Sequence, residues 1–252
     1  MSEKKNILLL RGLTREKAHW YDFPEKLQAE NDEYRIFHLE LPGAGKYSNV
    51  EFPLKTKPLV NFLNSQVEKL KKDNSGSWHI VTISLGGMVA LRYLEAFPNA
   101  IDSTVIINSS ARDLSPIHHR MQLKIWKDIL SVPFKRNAND GEKLILGVVT
   151  NLLNEDKIQE VSSYFARVKN ENPMSLKNMI KQLVWAAKNS SPKKLNANLF
   201  FIASKADRMV DFNCSKKLAD KYKASLELHS SAGHDIPLDD GPWLVSKIKN
   251  FI

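Results

Sequence analysis

Ser84, Asp207 and His234 are three residues whose types, order and surroundings suit a single chemistry, attack on a carbonyl by an activated serine. Ser84 stands where the β-rich apolar run His79-Ile80-Val81-Thr82-Ile83 gives way to the helix-forming run Leu85-Gly86-Gly87-Met88-Val89-Ala90-Leu91. A strand that reverses sharply into a helix strains its turn residue, and Gly86 and Gly87 leave room where helix and strand nearly touch. The hydroxyl is then pushed out of the sheet, and the Leu85 amide, at the helix start, faces the place of an attacked carbonyl oxygen. A serine hydroxyl is a weak nucleophile at neutral pH. It needs a base to take its proton and a carboxylate to hold that base in the right tautomer. Phe200-Phe201-Ile202-Ala203-Ser204-Lys205-Ala206-Asp207 puts a carboxylate just beyond one apolar run, and Leu228-His229-Ser230-Ser231-Ala232-Gly233-His234 puts a histidine just beyond the next.

The chain order serine, acid, histidine and the segment Thr82-Ile83-Ser84-Leu85-Gly86 resemble the α/β-hydrolase family, whose turn reads Gly-x-Ser-x-Gly. The resemblance runs from about Asn6 to Phe251, apart from a variable insertion. It implies that Ser84 is the nucleophile, His234 the general base and then general acid, and Asp207 the group that orients His234. It also places a second oxyanion donor, the Leu13 amide, in the loop after the first strand, to act with the Leu85 amide. Two positions depart from the family. Thr82 puts a branched side chain where the pattern has glycine, and Arg11 precedes Gly12 where the loop usually begins His-Gly, which alters that loop's hydrogen bonding but leaves a backbone donor in place.

Asp211 is the alternative acid. It is expected to cap the following helix instead, while Asp235, Asp239 and Asp240 are expected to order the loop after His234 and cap the final helix. His19, His38, His79, His118, His119 and His229 have no comparable partners in the sequence. The adjacent His118 and His119 diverge on a helix and have no ligand cluster beside them, so neither a metal nor another cofactor is expected.

These residues need a sheet to carry them. Asn6–Leu10, Arg35–Leu41, the run before Ser84, Ile101–Asn108, Asn198–Ala203 and Ser225–His229 read as strands, mostly with the continuous apolar character of strands buried on both faces. Helical spacing recurs at 20–30, 58–72, after Ser84 to Phe97, and at 211–223 and 242–251. The expected fold is α/β, a mostly parallel sheet of about six strands with helices on both faces. Between Arg112 and Lys194 the alternation lapses into helices at 122–130, 141–153, 157–169 and 175–188, separated by turn residues such as Pro133, Asn137–Asp140 and Pro173. This gives a core of residues 1–111 and 195–252 and a helical cap insertion of residues 112–194. Functional groups then belong at the strands' C-terminal ends, where Gly12, Ser84, Ser109, Asp207 and His234 fall.

The 252 residues include one cysteine, Cys214, which rules out an intrachain disulfide and suits a reducing compartment. The first apolar run is too short for a signal-peptide core and no later run approaches a membrane span, so the expected location is cytoplasmic. A net charge of +9 comes without a nucleic-acid-binding motif. Residues 112–194 hold 15 Lys and Arg against 8 Asp and Glu. These are read either as solvated helix faces, Lys124, Lys127, Lys177, Lys181 and Lys188 among them, or as a docking surface for an acidic acyl-carrier protein. Trp126, Phe134, Phe165, Met174, Met179 and Trp185 are expected to line an apolar channel. Within the family, the sequence is most similar to small cytoplasmic carboxylesterases, some of which act on carrier-bound esters. A serine excludes the branches that use an aspartate nucleophile, but not hydrolases of lactones or carbon-carbon bonds. The other class of function is a non-catalytic ligand-binding protein on the same fold.

Overall fold

The computed structural model describes residues 3–132 and 135–252. Six strands form one sheet: β1 (Lys5–Leu10), β2 (Tyr34–Leu39), β3 (Ser77–Ile83), β4 (Ser103–Ile107), β5 (Asn198–Ser204) and β6 (Ser225–His229). Their spatial order is β2-β1-β3-β4-β5-β6, and every neighbouring pair is parallel. After β2 the chain crosses back over β1 to lay down β3. The direction of winding therefore reverses between β1 and β3, which is where an open parallel sheet leaves a crevice at its C-terminal edge.

Side-chain alternation explains why the inner strands are mostly apolar on both faces. Ile7 and Leu9 of β1 join one buried cluster with Val81, Ile83, Val105, Ile107, Phe200 and Ile202. Leu8 and Leu10 join the other, with Ile80, Ile106, Leu199 and Phe201. The first cluster is closed by α1 (Phe23–Ala29) and α11 (Gly241–Lys249), through Phe23, Leu27, Leu244, Val245 and Ile248. The second is closed by α2 (Thr56–Asp73), α3 (Leu85–Ala96) and α9 (Asn213–Tyr222), through Leu59, Leu63, Val67, Val89, Leu91 and Leu218. At about 25 cal/mol per Å² of apolar surface removed from water, burial on two faces is the main force holding the sheet together.

Between β4 and β5 lie α4 (Ile117–Arg120), α5 (Trp126–Ser131), α6 (Ala138–Val149), α7 (Glu155–Glu171) and α8 (Leu176–Lys188). Helices α6 and α7 begin two to three residues before the apolar periodicity does, because Asn137 and Asn154 accept the amides of Asp140 and Lys157 and so set the first turns. The four-residue α4 and α10 (Ile236–Asp239) are too short to show a period. Pro133 and Phe134 lie outside the described residues. This helical segment is tied to the loops at the C-terminal edge of the sheet. Asp235 N–H donates to the Val149 carbonyl at 2.8 Å, Thr14 N–H to Gln182 at 2.9 Å, and Phe52 N–H to Asn178 at 2.8 Å. Among the described residues, no helix is long and apolar enough to cross a membrane.

Candidate active site

Ser84 sits between the end of β3 and the start of α3 with φ 57° and ψ −121°, a region of backbone space that costs a non-glycine residue about 1–3 kcal/mol. The surroundings hold it there. Its N–H donates to the Ile107 carbonyl at 2.8 Å, and its own carbonyl accepts the Ser109 hydroxyl at 2.8 Å. Gly86 is required by close approach, since a β-carbon there would lie 2.7 Å from the Arg11 carbonyl oxygen. Thr82 is fully buried, and its hydroxyl donates to the Leu10 carbonyl at 3.0 Å.

Asp207 lies three residues beyond β5 and His234 five beyond β6, and the structure brings them together: His234 Nδ1 is 2.7 Å from Asp207 Oδ2. The other carboxylate oxygen accepts the amides of Met209 at 2.7 Å and Val210 at 3.0 Å. Both oxygens are thus engaged, and the carboxylate is wholly buried. With Nδ1 committed to the carboxylate, His234 Nε2 has no hydrogen-bond partner among the described residues. Asn108, at the end of β4, pins the loop from behind by donating to the His234 carbonyl at 2.8 Å and accepting the Ser204 amide at 2.9 Å.

The loop after β1 approaches Ser84 closely. A β-carbon on Gly12 would lie 3.0 Å from Ser84 Cβ and 3.5 Å from the Leu85 nitrogen. Leu85 N–H is the first of its helix and has no intrahelical acceptor. Leu13 N–H likewise donates to no described residue, while the next two amides, of Thr14 and Arg15, are bonded. These two amides are available to a negatively charged oxygen.

Several sequence expectations need correction. Asp211 is not the cap residue of α9, which begins at Asn213; its carboxylate makes a local turn by accepting the Asn213 amide at 2.8 Å, and it lies 3.8 Å from His119. His229 does have an acidic partner, with Nε2 3.1 Å from Asp240 Oδ2. Its Nδ1 accepts the amides of Ser231 and Ala232, so neither ring nitrogen is left for a substrate. His79 lies between the hydroxyls of Ser103 and Ser77, and burial pulls it down to about 4. Of the three loop carboxylates, Asp240 caps α11 through the Trp243 amide. Asp239 holds Gly233, Leu152 and Asn151 by their amides, with burial raising its carboxyl above the usual range. Asp235 instead meets Arg11 as an ion pair. Three of the residues expected to line an apolar channel are engaged or placed elsewhere. Trp185 packs into the main core against Phe52, Phe165 packs with Leu146 and Val161 in a separate cluster, Trp126 is 40% exposed, and Phe134 lies outside the described residues.

A family model described as alpha/beta hydrolase fold matches residues 5–241, and the chain belongs to that family. No curated protein matches the sequence. Solved structures similar to it include an esterase from Exiguobacterium antarcticum, with 15% identity, TM-score 0.79 and coverage of 100% of this chain and 92% of that one. A lipase-esterase related protein from Clostridium acetobutylicum gives 16% identity, TM-score 0.70 and coverage of 98% and 94%. A meta-cleavage product hydrolase from Pseudomonas fluorescens gives 14% identity, TM-score 0.72 and coverage of 100% and 91%. At these identities the likeness is one of fold.

Proposed function

We propose that the chain is a serine hydrolase that cleaves a carboxylic ester through an acyl-enzyme, with Ser84 as nucleophile, His234 as base and Asp207 as its orienting acid. The observation that carries this reading is the 2.7 Å bond from His234 Nδ1 to a buried Asp207, which leaves Nε2 unbonded at the strand-end edge that also carries Ser84. Ser84 Oγ adds to the ester carbonyl as His234 Nε2 takes its proton. The oxyanion of the tetrahedral intermediate is held by the Leu13 and Leu85 amides. Collapse breaks the bond to the alkoxy group, which leaves as the alcohol with the proton from His234. Water, deprotonated by His234, then adds to the acyl-enzyme, and the carboxylic acid departs as Ser84 regains its proton.

Residues 112–194 serve as the cap over this site in the proposal, with residues 1–111 and 195–252 as the hydrolase core. The substrate is a small ester or one borne by an acidic acyl-carrier protein. The second is supported by the basic excess in the cap, where Lys124, Lys127, Lys143 and Lys188 form no ion pair among the described residues.

The test is labelling by a fluorophosphonate probe and turnover of a nitrophenyl ester, in wild type and Ser84→Ala. Labelling should vanish and turnover fall by up to roughly a millionfold. An alanine variant with most of the wild-type activity overturns the assignment, and a folded wild type that neither labels nor turns over points to a ligand-binding protein.

A further inference from the structure

We propose that Arg11 and Asp235 act as a positioning pair that sets the loop bearing His234 against the loop bearing the Leu13 amide, an inference that rests on the hydrolase reading above. Arg11 is the first residue after β1, two before Leu13, and Asp235 directly follows His234. Their side chains meet face to face. One guanidinium nitrogen is 3.1 Å from Oδ1 and the other 2.5 Å from Oδ2. The guanidinium carbon sits 5.0 Å from the centre of the Trp20 ring.

A two-pronged contact between planar groups fixes an angle as well as a distance. Each loop has other anchors. Gly233 N–H is held by Asp239, the His234 carbonyl by Asn108 and Asp235 N–H by Val149, while Thr14 N–H is held by Gln182. None of these joins one loop to the other, and the Arg11–Asp235 contact does.

Stability is a poor account of the pair. Both residues are 4% exposed, so two charges have been taken out of water, and Arg11 Nε is left buried without a partner. A buried ion pair that is incompletely satisfied is commonly matched or bettered in stability by apolar residues of similar size. What apolar residues do not supply is the fixed geometry. A misplacement of about 1 Å between the histidine and the oxyanion donors can cost about a hundredfold in rate.

The experiment replaces the whole pair. Arg11→Met with Asp235→Leu leaves no unpaired buried charge, and Arg11→Lys in a second variant keeps the charge but loses the fork. Each is compared with wild type in thermal unfolding, in nitrophenyl ester kinetics and in amide hydrogen exchange over residues 11–14 and 233–236. The double variant is expected to unfold at close to the wild-type temperature, to lose at least about tenfold in kcat with KM changed less than about twofold, and to exchange faster in both loops. Arg11→Lys should fall between it and wild type. Wild-type kcat with wild-type exchange in the double variant overturns the proposal and leaves the pair a structural contact. Exchange is read without turnover, so faster loops in a chain whose activity does not depend on Ser84 would sink the hydrolase reading and keep the coupling, whereas unchanged loops in a Ser84-dependent enzyme would sink the coupling alone.

Discussion

Thr82 fills the space that Gly86 leaves empty: a β-carbon on Gly86 would stand 2.4 Å from the Thr82 hydroxyl oxygen, which in turn donates to the Leu10 carbonyl at 3.0 Å. The branched residue is therefore accommodated at the strand end because its polar atom has a fixed acceptor on β1. The positive φ of Ser84 is retained beside it.

Gly86→Ala should accordingly destabilise the fold, by about 3 kcal/mol or more, because overpacking at a rigid backbone contact cannot relax. Thr82→Gly introduced with it should recover only part of the loss. The Arg11 and Leu10 carbonyl oxygens, 2.7 and 2.8 Å from the added carbon, remain in the way. Urea unfolding of both variants measures this, and full recovery in the double variant would make Thr82 the sole obstacle.

Asp207→Asn keeps an oxygen for the Met209 and Val210 amides but turns an N–H toward His234 Nδ1, forcing the proton to the other ring nitrogen. Turnover should fall by about ten-thousandfold. Asp211→Asn keeps the acceptor for the Asn213 amide and should be mild. Steady-state kinetics on the two variants ranks the carboxylates, and the reverse order would move the acid to Asp211.

The sheet was legible because a strand buried on both faces writes an unbroken apolar run, as Ile7 to Leu10 does. The strand ends that carry Ser84, Asp207 and His234 followed from such runs. What the chain does not display is which polar groups meet across it. Arg11 and Asp235 are 224 residues apart. Asp240 looked like a cap and is one, but its second oxygen also holds His229. The aromatic residues of the helical insertion misled in the opposite direction. Their spacing marks an inward face, and Trp185 and Phe165 spend it on packing against the body of the protein, where a channel was expected.

Glu16 gives a pH dependence to stability that does not involve the candidate site. Burial, with the neighbouring Glu40 carboxylate adding to it, raises the Glu16 carboxyl to about 7. The folded chain thus holds this proton more tightly than the unfolded chain, and stability falls as pH rises from the ordinary carboxylate range through about 7. Glu16→Gln, which does not titrate, should gain on wild type by about 2 kcal/mol between pH 5 and pH 8.5, at about 1.4 kcal/mol per pKa unit. Urea unfolding at both values measures it, and a constant difference would show that Glu16 titrates normally.

The final expectation separates a carrier-bound substrate from a small one. Lys177 and Lys181 share Glu51, and Lys157 pairs with Glu160, so part of the positive charge of residues 112–194 is already answered within the chain. Lys124 and Lys127, both exposed on and beside α5, have no such partner among the described residues, and they are among the charges left to attract an acidic carrier. Exposed charges are screened beyond about 8 Å at physiological salt, so attraction over longer range weakens as salt is added. On the carrier reading, kcat/KM for an acyl-carrier-protein ester falls steeply across a salt series while that for a neutral nitrophenyl ester stays flat, and Lys124→Glu with Lys127→Glu lowers only the former. Equal salt responses of the two substrates would remove the carrier and leave a hydrolase of small esters.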